Sequence, residues 1–229
     1  MPTNRALLLL LTAACLSVAG AGNAQVPPSP AEAQAYDGLL ASVYAGDLET
    51  TGQHIASGEP LETRDGRGRT AVHLAAFTSN EAMLQLLAEA GAELDQLEFQ
   101  HYDIVTIAAV ANDPAFLALA LQLGASPSNT TSIYEGTALI AAAHLGHFEV
   151  VQILVDAGAP LDHVNNLGWT ALIEAVVLGD GGPDHQRTAR VLIDAGADRT
   201  IADRQGRTPL DHARQRGYAD VVSILESGG

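Results

Sequence analysis

The sequence predicts an all-α solenoid made of about six copies of a two-helix unit. One copy runs from Tyr134 to Asp162 and reads YEGTALIAAAHLGHFEVVQILVDAGAPLD. In it, a helix rich in small residues runs to Gly146, and a second helix with an apolar stripe runs to Gly158. A unit this small cannot bury its apolar faces alone, so further copies must flank it.

Two recurring features give the period of the repeat. The glycine that closes the unit recurs as Gly58, Gly91, Gly124, Gly158 and Gly196, in steps of 33, 33, 34 and 38 residues. The opening signature recurs as TAVHLAA from Thr70, DIVTIAA from Asp103, TALIAAA from Thr137, TALIEAV from Thr170 and TPLDHAR from Thr208. Recurrence of both features along the chain predicts a repeat architecture.

This pattern resembles the ankyrin repeat, whose period is about 33 and whose signature is T-P-L-H-x-A. The resemblance covers residues 36–229. It implies an α-solenoid with β-hairpin fingers, in which the first and last units act as caps. It also implies a protein-binding module, because ankyrin arrays bind partners through the fingers and the exposed side of the first helices.

Local signals agree with this architecture. A Thr, or Asp103 in the third unit, stands where a first helix begins and can cap an unpaired backbone N–H. Glycine closes each second helix, where only glycine adopts the left-handed conformation cheaply. In the first unit, Thr50, Thr51 and Gly52 replace apolar residues, as expected of a cap with one face in water. A Gly-rich insertion of about five residues, 180–184, separates the helices of the fifth unit.

The N-terminal residues predict export. Arg5 precedes an apolar run, and small residues follow, with a cleavage position after Ala24. We therefore expect a signal peptide over residues 1–24, a Pro-rich linker over 25–35 and the repeat domain over 36–229. The expected location is periplasmic or secreted, without a membrane span in the mature chain. The alternative is a lipoprotein anchored at Cys15.

Charge limits the class of partner. The formal net charge is −16, and all 11 basic residues are arginine. Binding to nucleic acid is not expected, because phosphate contacts need clustered cations. No arginine lies between residues 70 and 186. This acidic middle either keeps the protein in solution or favours a basic protein partner.

Positions matched to the ankyrin fingers and first helices predict the partner-binding residues. They are Arg67, Arg69, Phe77, Phe99, Tyr102, Tyr134, His144, Trp169 and Arg207. Aromatic and arginine side chains often dominate the energetics of interfaces. The alternative for Tyr102 and Trp169 is packing against a neighbouring finger.

Two other kinds of site are less well supported. His144 and His147 are three residues apart, but Gly146 interrupts the helix and no cysteine completes a zinc site. An enzyme would depend on Asp180, Asp184 and His185 in the insertion, which has neither a calcium-loop spacing nor a phosphate-binding signature. We predict no catalytic residues, metal or cofactor. The expected function is that of a monomeric scaffold or chaperone-like binder, with a secreted effector that binds a host protein as the alternative.

Overall fold

A computed structural model describes residues 25–227. The predicted signal peptide, its Cys15 alternative and Gly229 lie outside the described residues. Within residues 25–227 there are thirteen helices and no strand. They are α1 (Pro30–Gln34), α2 (Gly38–Ala45), α3 (Leu48–Ala56), α4 (Ala71–Phe77), α5 (Glu81–Glu89), α6 (Ile104–Ala111), α7 (Pro114–Gln122), α8 (Ala138–Leu145), α9 (Phe148–Asp156), α10 (Ala171–Val177), α11 (Pro183–Asp194), α12 (Pro209–Arg216) and α13 (Ala219–Ser227).

Helices α2 to α13 form six consecutive pairs. The first helices of the pairs (α2, α4, α6, α8, α10 and α12) make one row, and the second helices make another. Each helix packs against its pair mate and against the next helix of its own row. This nearest-neighbour stacking confirms the predicted α-solenoid of six units.

Small side chains allow the first-row helices to pack closely. Ala75, Ala108, Ala142 and Ala175 are all buried at the centres of these helices. The second row contributes the larger side chains of one continuous core, including Leu84, Leu87, Val151, Leu154 and Leu192. The apolar stripe seen in the sequence is therefore the interface between units.

Side-chain caps start the first-row helices of the third to sixth units as predicted. Asp103 Oδ1 accepts from the Thr106 N–H at 2.7 Å, and Thr137 Oγ1 accepts from the Ile140 N–H at 3.3 Å. In the second unit the cap is supplied jointly with His73, whose Nδ1 accepts from the Thr70 N–H at 3.2 Å. His73 Nε2 donates to the Tyr102 carbonyl at 3.2 Å and thereby joins the second unit to the third.

The first unit departs from the expectation of a water-facing polar helix. Thr51 is fully buried rather than exposed. Its hydroxyl lies 2.9 Å from Ser42 Oγ and donates to the Asp47 carbonyl at 2.7 Å. A buried hydroxyl is tolerated when it is hydrogen-bonded, so this cap has a small polar network inside it.

Two connecting segments are more ordered than their composition suggests. Residues 25–35, expected to be an extended linker, contain helix α1 and a buried Pro28. Ser29 caps α1, and the Glu32 carboxylate accepts from the Ser29 N–H at 2.8 Å. The insertion of the fifth unit forms a short loop and also lengthens its second helix, since α11 has 12 residues whereas α9 has 9.

Candidate protein-binding surface

A tight turn precedes each first-row helix from α4 to α12, and we call these turns fingers 1 to 5. They comprise residues 65–69, 98–102, 131–136, 165–169 and 203–207. In each finger the N–H of the first residue donates to the carbonyl of the last residue, at 3.0, 3.0, 2.7, 3.0 and 2.9 Å respectively. Only finger 3 forms a β-bridge, between Thr131 and Gly136. Across the described chain the fingers are therefore hydrogen-bonded turns rather than hairpins of paired strands.

A buried polar side chain closes four of the five fingers, and we call it the finger clamp. The clamps are Asp65, Glu98, Asn165 and Asp203. One side-chain oxygen of each clamp accepts two backbone N–H groups of its own finger. The two N···O distances are 2.8 and 3.0 Å at Asp65, 2.9 and 3.1 Å at Glu98, 3.0 and 3.0 Å at Asn165, and 2.9 and 2.9 Å at Asp203. In finger 3, Ser132 Oγ accepts one such group, the Tyr134 N–H, at 3.2 Å. Each clamp satisfies buried backbone donors that would otherwise destabilise the turn.

Hydrogen bonds also join neighbouring fingers. Three backbone bonds link fingers 1 to 4 in sequence: Phe99 N–H to Arg67 O at 3.0 Å, Ser132 N–H to His101 O at 2.8 Å, and Asn166 N–H to Tyr134 O at 2.9 Å. The Arg204 guanidinium extends the series to finger 5 by donating to the Asn166 carbonyl at 2.5 Å. The fingers consequently form one connected row.

The finger tips expose two apolar side chains. Phe99 is 66% exposed, and its ring lies against the Cα of Gly68 in the preceding finger. Ile133, at the tip of the following finger, is 68% exposed. Val164 is also exposed, immediately before finger 4. We call the surface made by the fingers and the exposed side of the first-row helices the finger face.

The structure places most of the predicted partner-binding residues at accessible positions. His144 is exposed, and Phe77, Tyr134 and Trp169 are half-buried. Arg67 is half-buried and forms an ion pair with Glu32, Nε to Oε1, at 2.6 Å. These side chains remain available to a partner to different degrees.

Three predicted residues are committed to contacts within the chain. Tyr102 is 8% exposed and belongs to the core cluster, which agrees with the packing alternative rather than with a tip position. Arg69 is 1% exposed, because it is held by Asp65 and by the N-terminal segment. Arg207 is partly exposed, but its Nη2 donates to the clamp Asp203 at 2.8 Å.

The role of the clamps and the exposure of Ile133 were not predicted from the sequence. The clamps had a detectable signal, because Asp65, Glu98, Asn165 and Asp203 each stand five residues before the Thr or Asp that opens a first helix. A polar residue repeated at one position of every unit indicates a structural role for that position. Ile133 had a weaker signal, as a single apolar residue between Ser132 and Tyr134.

Glu174 lies beneath the finger face on α10. Its Oε1 accepts from Asn165 Nδ2 at 2.7 Å, and its Oε2 lies 3.5 Å from His144 Nδ1. Burial raises the pKa of Glu174 to about 7, and the hydrogen bond from Asn165 opposes this rise only in part. Partial desolvation of its ring, with the nearby His185, lowers the pKa of His144. Both shifts favour the uncharged forms of Glu174 and His144.

His212 occupies on α12 the position that Glu174 occupies on α10, four residues after the opening Thr. Its Nε2 lies 2.8 Å from Oδ2 of the clamp residue Asp203, the oxygen that does not accept the finger's backbone N–H groups. Burial opposes ionisation of Asp203, but the hydrogen bonds from Arg207 outweigh it and hold the pKa of Asp203 below its usual range. Each of these two helices therefore supports the clamp of its own finger.

The insertion does not assemble a reactive group. His185 Nδ1 lies 3.0 Å from Asp180 Oδ1, and its Nε2 lies 3.0 Å from the His144 carbonyl. Asp184 forms an ion pair with Arg187 at 2.5 Å. Both ring nitrogens of His185 face oxygens of the protein, so the ring joins the loop to α8 and is not free to act as a base.

Within residues 25–227, no group of three or more His, Cys, Asp or Glu side chains is arranged to hold a metal ion. In the pair considered for a metal, His147 Nδ1 donates to the Ala109 carbonyl at 3.0 Å and His144 Nδ1 lies 3.5 Å from Glu174 Oε2. None of the described helices combines the length and apolar character needed to cross a bilayer.

Comparison with known proteins identifies the family. A model of three ankyrin repeats matches residues 105–203, and a single ankyrin repeat matches residues 67–98. The ankyrin repeat protein YahD of Escherichia coli (strain K12) is 32% identical over 195 residues, covering 84% of this chain and 96% of the relative. The chain belongs to the ankyrin repeat family, whose repeats are protein–protein interaction modules.

Solved structures agree with the fold. An ankyrin repeat domain from Acinetobacter baumannii AYE has a TM-score of 0.78 at 38% identity and covers 83% of this chain and 97% of that domain. The ankyrin repeat protein EF0377 has a TM-score of 0.78 at 29% identity and covers 85% of this chain and 100% of that protein. These neighbours confirm the ankyrin solenoid.

The raised pKa of Glu174 predicts a pH-dependent effect of its substitution. In the wild type the stabilisation from this group is fully present below its unfolded pKa of 4.5 and is lost as pH rises through about 7. Glu174→Gln retains an acceptor for Asn165 and cannot ionise. We expect the variant to be more stable than the wild type by up to about 3 kcal/mol at pH 8 and equal to it below pH 4.5.

Urea denaturation at several pH values measures this difference. The control is Glu149→Gln, which alters an exposed carboxylate on the second-row helix α9. Its free energy of unfolding should differ from that of the wild type by no more than about 0.5 kcal/mol at every pH. Equal stability of the wild type and Glu174→Gln at pH 8 would show that Glu174 ionises without cost.

Proposed function

We propose that this chain is a non-catalytic protein-binding module that acts in the periplasm as a scaffold or chaperone-like binder. The observation that carries the proposal is the exposure of Phe99 and Ile133 on the tips of two fingers that share a backbone hydrogen bond. Large apolar side chains exposed on neighbouring finger tips mark a candidate interaction site. The half-buried Tyr134 and Trp169 add aromatic surface to fingers 3 and 4.

Preorganisation is the proposed mechanism of binding. The clamps fix four of the fingers, the β-bridge and Ser132 hold finger 3, and the bonds between fingers fix their spacing, before a partner arrives. Little conformational entropy is then lost when a partner docks, which leaves more of the contact energy as affinity. The tips act as apolar anchors, and the half-buried aromatics surround them.

Truncation of the two exposed side chains at the finger tips should weaken partner binding without unfolding the array. We expect Phe99→Ala/Ile133→Ala to weaken capture of the partner from periplasmic extract by at least about ten-fold. Both side chains are mainly in solvent, so the free energy of unfolding should change by less than about 1 kcal/mol. Quantitative affinity capture with the tagged protein, together with urea denaturation, measures both effects.

The matched control is Leu48→Ala. It also removes an exposed apolar side chain, but at the start of second-row helix α3, outside the finger face. Retention of the partner by the control and its loss by the tip variant would support the finger face. Equal retention by both variants would place the interface elsewhere. A substitution at Tyr102 is unsuitable for this test, because truncation of a buried ring destabilises the fold.

Export is the second part of the proposal, and it is supported by the sequence of residues 1–24. Cell fractionation and intact-mass measurement should find a periplasmic chain that begins at Gln25. A lipid-modified chain that begins at Cys15, recovered with membranes, would contradict cleavage after Ala24. A cytoplasmic chain that retains residues 1–24 would contradict export.

A further inference from the structure

The N-terminal segment 25–35, which we call the strap, lies on the finger face. Gln25 Nε2 donates to the Thr106 carbonyl on first-row helix α6 at 3.0 Å. The Val26 carbonyl accepts from Arg69 Nη1 in finger 1 at 3.0 Å. The strap therefore spans the finger face from finger 1 to the first helix of the third unit.

A two-arginine site in finger 1 holds the carboxylate of the strap. Glu32 Oε1 accepts from Arg67 Nε at 2.6 Å and lies 3.1 Å from Arg69 Nη2. Arg69 is itself fixed from behind, because its Nε donates to Asp65 Oδ2 at 2.6 Å. The guanidinium thus presents Nη1 to a backbone carbonyl and Nη2 to a carboxylate, which is a charge-assisted arrangement for an acidic peptide.

The strap itself is weakly held. Helix α1 has five residues, none of them buried. Among residues 25–35 only Pro28 is buried. Segments with few buried apolar contacts open at low free-energy cost. Arg69 retains Asp65 and the Tyr36 hydroxyl, which lies 3.2 Å from Nη2, when the strap leaves. The site beneath the strap is therefore built independently of it.

Charge makes this site distinctive on the array. The three arginines Arg64, Arg67 and Arg69 are followed by none until Arg187, whereas acidic residues continue throughout. An acidic segment is repelled along that middle stretch and is attracted at finger 1. The strap satisfies this requirement with a single carboxylate, Glu32.

We propose that the strap is an exchangeable occupant of the finger-1 site, and that the partner's binding segment is an extended acidic peptide that competes with it. The inference rests on the proposed function, since it assigns the chemistry of one part of the partner. Strap and partner segment would use the same arginines, so their binding is mutually exclusive. A tethered strap competes at an effective concentration in the millimolar range. The partner segment must therefore bind the arginines more tightly than the strap does in order to displace it at lower concentrations.

The test uses the processed protein and a fluorescein-labelled peptide with the strap sequence QVPPSPAEAQA. The key variant is Glu32→Gln, because glutamine at the third position of a helix also completes a capping box and so retains α1. Only the charge opposite the arginines is lost. We expect this variant to bind the peptide at least ten-fold more tightly than the wild type, as measured by fluorescence anisotropy.

Three controls make the result specific. A peptide with glutamine in place of its glutamate should lose binding to the Glu32→Gln protein, and Arg67→Gln in that background should lose binding of the original peptide. Ser29→Ala weakens the cap of α1 without altering the ion pair, and it should raise peptide affinity less than Glu32→Gln does. Equal peptide affinity for the wild type and Glu32→Gln, or affinity indifferent to Arg67, would overturn the proposal.

Amide NMR spectra of the processed protein supply a second measurement. In Glu32→Gln the amide resonance of Val26, which docks on Arg69 outside α1, should move toward its random-coil position, and an unchanged resonance would overturn the proposal. Failure here can be distinguished from failure of the proposed function. If peptide exchange fails while partner capture still depends on Phe99 and Ile133, only the strap inference is lost.

Discussion

The geometry of the finger face depends on a buried side-chain oxygen that accepts two backbone N–H groups within one tight turn. This interaction recurs at Asp65, Glu98, Asn165 and Asp203. A turn of five residues has too few backbone bonds to hold its own shape, and the clamp supplies the missing acceptor. The shape of the binding surface therefore depends on polar groups inside the molecule, while the stacking of the helices depends on apolar ones.

The clamps also explain why several titratable groups lie beneath the finger face. A carboxylate or amide at the clamp has a second oxygen or nitrogen to satisfy. In fingers 4 and 5 the first-row helix supplies the partner from below, since Glu174 serves Asn165 and His212 serves Asp203. In finger 1 the partner of Asp65 is Arg69 of the finger itself. Because these groups are withdrawn from water, some of their pKa values depart from the usual range. Such shifts accompany a structural role here, although similar shifts are often associated with catalysis.

The sequence was sufficient to predict the repeat architecture, because period, capping and apolar stripe repeat in every unit. It was less informative about single side chains in the fingers. Arg69 and Tyr102 have the composition of interface residues, yet one is held by Asp65 and the strap and the other packs in the core. Whether a polar or aromatic residue near a turn points outward depends on contacts across units, which local pattern does not encode. The docking of residues 25–35 depends on the same kind of distant contact.

¹⁵N relaxation of the free wild-type protein tests directly whether the fingers are ordered before a partner binds. We expect backbone order parameters of about 0.85 for the clamped amides of Arg67, Tyr102, Trp169 and Arg207, equal to those of the first-row helices. Values below about 0.6 at these amides would contradict this expectation, because the fingers would then become ordered only on binding.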